Sequence, residues 1–380
     1  MCSKVKVEVF DKYEFFAGVP DSLLAPLCGW LYDVKELGRN HVVAANEGNA
    51  VAVAAGYYLA TGKIPLVYLQ NSGLGNIANP VVSLTNPKVY GIPMLFVVGW
   101  RGEPGLKDEP QHIFQGEITE NFLDCIGIEY FVIDKNTSEE EFYRTEEHFA
   151  ELFKSGKSAA YIIKKDALHY KAQKIHANDY SIVREDAICE ILKMAENDVV
   201  VATTGKIARE VYEIRKKLGQ NSDGDFLTVG SMGHSSSVAL GIALNQPNSH
   251  VWVLDGDGAA LMHMGAMAVI GKYTPKNLTH IILNNAAHES VGGMPTVADG
   301  LNFGKIALAC GYDTALTITN IDDLRACLMK MTKQTKMPKQ LNFLEIKTSI
   351  SSRADLGRPT ETPQENRAKF MEFLKNKIVS

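Results

Sequence analysis

No two cysteines in this 380-residue sequence stand close enough to make a CxxC pair. The six, Cys2, Cys28, Cys125, Cys189, Cys310 and Cys327, are scattered. That excludes a zinc ribbon or a disulfide-stapled scaffold and reads as buried thiols in a reducing compartment. Long apolar runs are missing too. None reaches the ~20 residues a membrane-spanning helix needs, and the opening Met1-Cys2-Ser3-Lys4-Val5-Lys6 has no signal-peptide core. Nor is there an excess of positive charge: a net charge of −5 gives no reason to expect nucleic acid or an anionic membrane as a partner. Repeats and low-complexity tracts are also lacking. What is there, 46% hydrophobic and 22% charged residues, describes a soluble globular protein, cytoplasmic by default and long enough for two domains.

Strand-like and helix-like segments alternate throughout, the pattern of α/β folds with parallel sheets. Strands are expected over 42–45, 65–69, 94–98, 130–133 and 159–163, with helices over 21–31, 49–60, 77–84 and 138–154. The stretch 164–180 is polar and aperiodic and reads as a linker. The pattern then restarts, with a helix over 184–195 and strands over 199–203, 226–229, 251–254, 280–283 and 343–346. The expected architecture is two doubly wound parallel-sheet domains, 1–170 and 171–380, with no room for a middle domain between them.

The chemistry concentrates between His250 and Gly293. An apolar strand ends at Gly256-Asp257-Gly258, small and apolar residues follow at helical length over 259–270, and a second strand leads to Asn284-Asn285. Strand, turn, helix, strand makes a parallel pair with a right-handed crossover, and ligands collect at the carboxyl ends of such strands. Asp257 and Asn285 therefore share one edge and can share one small ion. The flanking glycines let a diphosphate approach the backbone, and the helix that follows aims free N–H groups at it. Magnesium suits one or two protein oxygens completed by water and phosphate. Gly-Asp-Gly alone, or Asn-Asn alone, is an ordinary turn; the specific signal is the pair, with 25 residues between them, each beyond a strand.

In the first half, Asn46-Glu47-Gly48-Asn49-Ala50 joins the strand over 42–45 to a helix. Glu47 is either a first-turn acidic residue complementing the helix dipole or a carboxyl in an apolar site. In the second case its pKa is raised and it can share a proton with a ligand nitrogen. Gly230-Ser231-Met232-Gly233-His234 precedes Asp257, with Met232 either core or a residue under a ligand. Two other runs lead nowhere. Gly73-Leu74-Gly75-Asn76-Ile77-Ala78 imitates a dinucleotide fingerprint, but the next strand ends without an acidic residue. The run from Gly56 to Gly62-Lys63 is one residue too long for a phosphate-binding loop and has Ile64 for its Ser/Thr.

Taken together, the GDG and NN motifs resemble the signature of the thiamin-diphosphate enzymes. The resemblance implies that Asp257, Asn285 and the carbonyl of Ala287 hold Mg²⁺, and that Gly256, Gly258 and Ala259 lie against the diphosphate. It also implies that Glu47 bonds N1′ of the aminopyrimidine and drives it to the imino form that removes the C2 proton. Met232 would wedge under the bent cofactor, and the Gly230 carbonyl would accept from its 4′-amino group. The two-domain build is similar to the branch acting on phosphonopyruvate and sulfopyruvate. The residues carrying this are Gly18-Val19-Pro20-Asp21-Ser22, Asn71-Ser72-Gly73-Leu74-Gly75-Asn76, Gly99-Trp100-Arg101-Gly102-Glu103-Pro104-Gly105, Asp108-Glu109-Pro110-Gln111-His112, and the tail Arg353-Ala354-Asp355-Leu356-Gly357-Arg358-Pro359.

That branch implies non-oxidative decarboxylation of 3-phosphonopyruvate to phosphonoacetaldehyde and CO₂, in phosphonate biosynthesis. Sulfopyruvate or another 2-oxo acid is the alternative substrate, and a non-catalytic cofactor-binding module is the alternative class. A 2-oxo acid with an anionic head needs a cation: Arg101, Arg353 and Arg358 are rivals for it, with Asn71 beside them. Asp21 is an N-cap or a polar pocket residue, and His112 a candidate catalytic group near Arg101 in sequence. His234 and His288 stay open between a site and a structural role. By the same resemblance the chain is expected to form a homo-oligomer, with each site built from the two domains of different subunits.

Overall fold

Apolar runs of four to seven residues, each preceded or followed by a helix, become the central strands, buried on both faces. The structure, a computed structural model, describes residues 5–289, 293–333 and 340–379. The chain divides into two compact units, Met1–His176 with His288–Pro295, and Ala177–Ala287 with Thr296–Ser380. In the first, β1 (Phe16–Gly18), β2 (His41–Val43), β3 (Leu66–Gln70), β4 (Leu95–Gly99), β5 (Glu129–Ile133) and β6 (Ala159–Ile163) form one sheet in the order β2-β1-β3-β4-β6-β5. In the second, β7 (Val199–Ala202), β8 (Asp225–Leu227), β9 (Val251–Gly256), β10 (Leu278–Asn284), β11 (Thr314–Ile318) and β12 (Asn342–Lys347) form another in the order β8-β7-β9-β10-β12-β11. Every pairing in both is parallel. The two sheets thus repeat one topology, and the expected α/β class with two parallel-sheet domains is the one observed. No helix of the described residues is long and apolar enough to cross a membrane.

Alternation along the first sheet shows why its strands read as unbroken apolar runs. Leu66, Tyr68, Leu95, Val97 and Tyr161 enter one core cluster, while Val67, Leu69, Phe96, Val98 and Ala160 enter the other. Both faces are covered, so there is no polar alternation to show. In each unit the first four strands deliver the candidate residues just past their carboxyl ends. Asp21 follows β1, Glu47 β2, Asn71 β3 and Arg101 β4; Thr204 follows β7, Gly230 and Met232 β8, Asp257 β9 and Asn285 β10. This is the edge where a doubly wound sheet opens a crevice.

Several expectations need correction. The helix expected over 259–270 is two, α7 (Asp257–Met262) and α8 (Gly265–Tyr273). The chain leaves helical geometry at His263, whose ring packs on His234 at 4.1 Å between centroids. The helix over 77–84 is α3 (Leu74–Asn79) followed by a π-helical turn, Pro80–Thr85, because Pro80 offers no N–H to an α ladder. The linker over 164–180 is not featureless: Leu168–His169 pairs with Val5–Lys6, and Asp33 accepts from Gln173 N and Lys174 N at 2.8 and 2.7 Å. Of the five described cysteines, all free thiols, Cys28 is buried but Cys125 is exposed. Cys2 lies outside the described residues.

Candidate active site

The expected residues fall into two clusters, one in each unit. In the first, α2 (Glu47–Thr61) starts just past β2. Asn46, extended at φ −146°, caps it by accepting from Gly48 N at 2.7 Å. Glu47 is thereby released from capping, and its carboxyl, 5% exposed, meets the loop after β3. Asn76 Nδ2 donates to Glu47 Oε2 at 2.7 Å. Gly73 is moulded to the same group, since a Cβ there would lie 2.4 Å from Glu47 Oε1. Burial pushes the Glu47 carboxyl above the usual range, and the Asn76 amide pulls the other way. Such a carboxyl can hold a proton and share it with a ligand nitrogen.

Asp21 is wholly buried ahead of α1 (Ala25–Val34). Its Oδ2 accepts from Leu23 N and Leu24 N at 3.0 and 3.2 Å, the capping geometry, and its Oδ1 accepts from the Gln70 amide. Burial raises its pKa, opposed by Gln70, Leu24 and then Arg101. Asn71 ties two loops together: Nδ2 donates to Arg101 O at 2.8 Å and Thr119 Oγ1 at 2.9 Å, and Oδ1 accepts from Arg101 N at 3.1 Å. Arg101 forks onto Asp108, Nε to Oδ2 at 2.9 Å and Nη2 to Oδ1 at 2.5 Å, and Nη1 donates to Ser22 Oγ at 3.1 Å. That guanidinium holds Asp108 well below the usual carboxylate range. His112, on α4 (Pro110–Glu117), is buried, and its Nδ1 makes no hydrogen bond among the described residues. Burial first, then Arg101, pushes its pKa down to about 4, so the imidazole is neutral.

In the second unit Gly256 lies opposite Leu283, so Asp257 and Asn285 emerge side by side from adjacent strands. Asp257 is buried, and its Oδ2 accepts from Thr296 Oγ1 at 2.5 Å. Burial pushes its carboxyl up to about 6 against the pull of Thr296, the first-turn amides and Lys347. Asn285 Oδ1 accepts from Ala287 N at 3.0 Å, and Asn285 O accepts from Asn178 Nδ2 at 2.7 Å. Between them Ala286 takes a left-handed φ of +54°, which bends the chain. The loop after β8 strings together Gly230, Ser231 and Gly233 at φ +71°, +49° and +87°, with Met232 half-buried among them. Gly230 N donates to Thr204 Oγ1 at 3.0 Å. A Cβ on Gly233 would lie 2.8 Å from Ala259 O, so this loop lies directly on the first turn of α7. The structure thus brings Gly233, next to Met232, against Ala259. Arg353 is elsewhere occupied: Nε donates to both Glu185 oxygens at 2.8 and 2.9 Å, Nη1 to Asp355 at 3.1 Å and Nη2 to Glu213. Arg358 is exposed.

A buried carboxylate, an amide side chain and a main-chain carbonyl are three hard oxygen donors, a set that fits magnesium and leaves positions for diphosphate and water. Among the described residues no group of three or more His, Cys, Asp or Glu forms a metal cage, so an ion here needs such outside oxygens. The sequence reading missed Thr296 and Asn178, whose bonds to Asp257 and Asn285 span 39 and 107 residues and leave no local pattern. Gly73 and Asn76, within the Asn71–Asn76 run, carry no mark in the sequence of their place beside Glu47; that approach exists only in three dimensions.

Models of the N-terminal and C-terminal TPP (thiamin diphosphate) binding domains of thiamine pyrophosphate enzymes match residues 11–123 and 203–342. A phosphonopyruvate decarboxylase of Streptomyces hygroscopicus is 34% identical, over 94% of this chain and 89% of its own. This chain belongs to the thiamine pyrophosphate enzymes. A phosphonopyruvate decarboxylase of Streptomyces viridochromogenes is also 34% identical, over 94% of this chain and 90% of its own. A sulfopyruvate decarboxylase of Methanosarcina acetivorans is 27% identical, over 86% of each. In this thiamine pyrophosphate enzyme the two matched domains carry the two parallel sheets, and no middle domain separates them.

Proposed function

We propose that this enzyme decarboxylates 3-phosphonopyruvate to phosphonoacetaldehyde and CO₂, using thiamin diphosphate and Mg²⁺. The observation that carries the reading is 34% identity to two phosphonopyruvate decarboxylases across nearly the whole chain, against 27% to the sulfopyruvate enzyme. Bound thiamin diphosphate supplies the electron sink for the pair released as CO₂ leaves. Domain 1–170 would take its pyrimidine end and domain 171–380 its diphosphate end. Glu47 shares a proton with the pyrimidine, a role its raised pKa supports. Asp257, Asn285 and the Ala287 carbonyl would hold Mg²⁺, Gly256, Gly258 and Ala259 would take the diphosphate, and Gly230 and Met232 would support the cofactor beside them.

Among the cations, Arg101 is the best suited to the phosphonate. It faces one carboxylate, Asp108, whereas Arg353 is ringed by three, and Asn71 fixes the Arg101 backbone. The phosphonate would exchange with Asp108 for the fork, with Asp21 and His112 at the same loops. We further infer a cytoplasmic homo-oligomer without nucleic-acid or membrane partners. Supporting association, α2 exposes Ala52, Val53, Gly56, Leu59 and Ala60 along one face, an apolar stripe that begins one turn beyond Glu47. A competition assay for CO₂ release from phosphonopyruvate, sulfopyruvate and pyruvate, with thiamin diphosphate and Mg²⁺ present, tests the substrate. Faster turnover of sulfopyruvate would reassign it. No CO₂ from any of them, with cofactor demonstrably bound, would leave a binding module without catalysis.

A further inference from the structure

We propose that Thr296 is a positioning residue for the metal site, locking Asp257 and the bend at Asn285–Ala287 into one arrangement. This rests on the reading of Asp257 and Asn285 as metal ligands. Thr296 Oγ1 donates to Asp257 Oδ2 at 2.5 Å, and Thr296 N donates to Ala286 O at 3.0 Å. One residue therefore cross-links the loops that leave β9 and β10. Ala298 N donates to the same Oγ1 at 3.3 Å, occupying one of the hydroxyl's two lone pairs, and the hydroxyl proton serves the carboxylate, which can only accept. Thr296 and Asp257 are 5% and 4% exposed, so bulk water does not compete for these bonds.

The chemistry of the residue matters as much as its place. A buried carboxylate that must bind a cation needs an orienting donor that does not cancel its charge. Lysine or arginine in this place would neutralise Asp257, and valine would leave the carboxylate plane unset. A hydroxyl orients the group and leaves its full charge for the ion.

The test is calorimetric titration of Mg²⁺ into the full-length protein saturated with thiamin diphosphate, alongside melting of the metal-free protein. Thr296→Val should weaken Mg²⁺ binding by about 10–100-fold, the scale for partners of metal ligands. Thr296→Ser restores the hydroxyl and should stay within about threefold of the parent on the same scale. Unchanged Mg²⁺ affinity in Thr296→Val, or equal losses in the Val and Ser variants, overturns the positioning role, since the second result would make bulk and not the hydroxyl responsible. Asp257→Ala separates the two readings: if it binds Mg²⁺ normally, the metal assignment itself fails. Should Thr296→Val not fold, Thr296→Ala takes its place with the same outcomes.

Discussion

The neighbour packed closely on the Glu47 carboxyl is a glycine, Gly73. The 2.4 Å that would separate a Gly73 Cβ from Glu47 Oε1 is far inside van der Waals contact, so Gly73→Ala must displace either the loop or the carboxyl. Overpacking of this kind costs about 1–3 kcal/mol, which a domain of this size tolerates. We expect Gly73→Ala to stay folded and, like Glu47→Gln, to slow hydrogen–deuterium exchange at C2 of bound cofactor by about 10²–10⁴, the general acid–base scale. Exchange at the parent rate in Glu47→Gln would remove Glu47 from the mechanism. Parent-rate exchange in Gly73→Ala alone would show that the loop gives way. Glu47 was legible as an acidic residue at a helix start between apolar runs; Asn46 as the true cap, and Asn76 as the donor, were not, because neither follows from spacing.

Asp257 makes a pH prediction with a definite sign. Its folded pKa, pushed up to about 6 from an ordinary 3.8, means that the metal-free fold binds a proton which the unfolded chain has already lost. The stability this contributes is complete below 3.8 and disappears as pH rises through about 6. If Asp257 holds Mg²⁺ as proposed, it must do so as the carboxylate, so the affinity should run the other way: level above neutrality, and falling about tenfold per pH unit below the Asp257 pKa. Calorimetry at pH 5 and 7.5, in buffers of different ionisation heat, should find about one proton released per Mg²⁺ at the lower pH and none at the higher. Equal proton release at both would show that Asp257 is not the ligand that titrates.

At the scale of elements, what the sequence made legible follows burial. Strands covered on both faces, such as β3, β4 and β9, stand out as apolar runs. β1 is three residues long and ends in Gly18, where a Cβ would lie 2.2 Å from Tyr68 O, so close packing removed the side chain that would have marked it. β11 is an edge strand with Leu316 half exposed, too mixed to register. Apart from the buried Leu356, the tail is held by polar bonds. Residues on α5 (Lys206–Leu218) grip it in turn: Lys206 Nζ donates to Ser352 Oγ at 2.7 Å, Arg209 Nε to Gly357 O at 2.7 Å, and Glu213 Oε1 accepts from Gly357 N at 2.6 Å. Arg353, expected as a possible anion binder, completes this strap through Glu213 and Glu185. Glu213→Ala should therefore raise amide exchange over 350–360 by on the order of tenfold, the equivalent of one lost charge-assisted bond, and leave the sheet protected. Unchanged protection of the tail would mean that Arg209 and Glu185 suffice.

For the whole molecule, the two units repeat a topology but divide the candidate chemistry: Glu47 belongs to the first, Asp257 and Asn285 to the second. Apolar side chains stay exposed on helices of both, Val53 and Leu59 on α2, Val238 and Leu244 on α6 (Ser235–Asn245), Val269 on α8 and Met264 just before it. Faces of this kind are what a two-fold assembly buries, and two-fold pairing of unlike halves creates two equivalent sites. Mixing Glu47→Gln subunits with Asp257→Ala subunits tests whether sites span chains. A shared site gives each mixed dimer one location with both halves intact, so activity should return, approaching about a quarter of the parent activity when equal amounts exchange completely, because about half of the dimers are then mixed. A site built within one chain leaves a lesion in every location, and mixing recovers nothing. Each variant alone should show little activity, so the assay starts from a low background, and mass spectrometry of the mixture verifies that subunits have exchanged. Full exchange with no recovery would rule out the shared site.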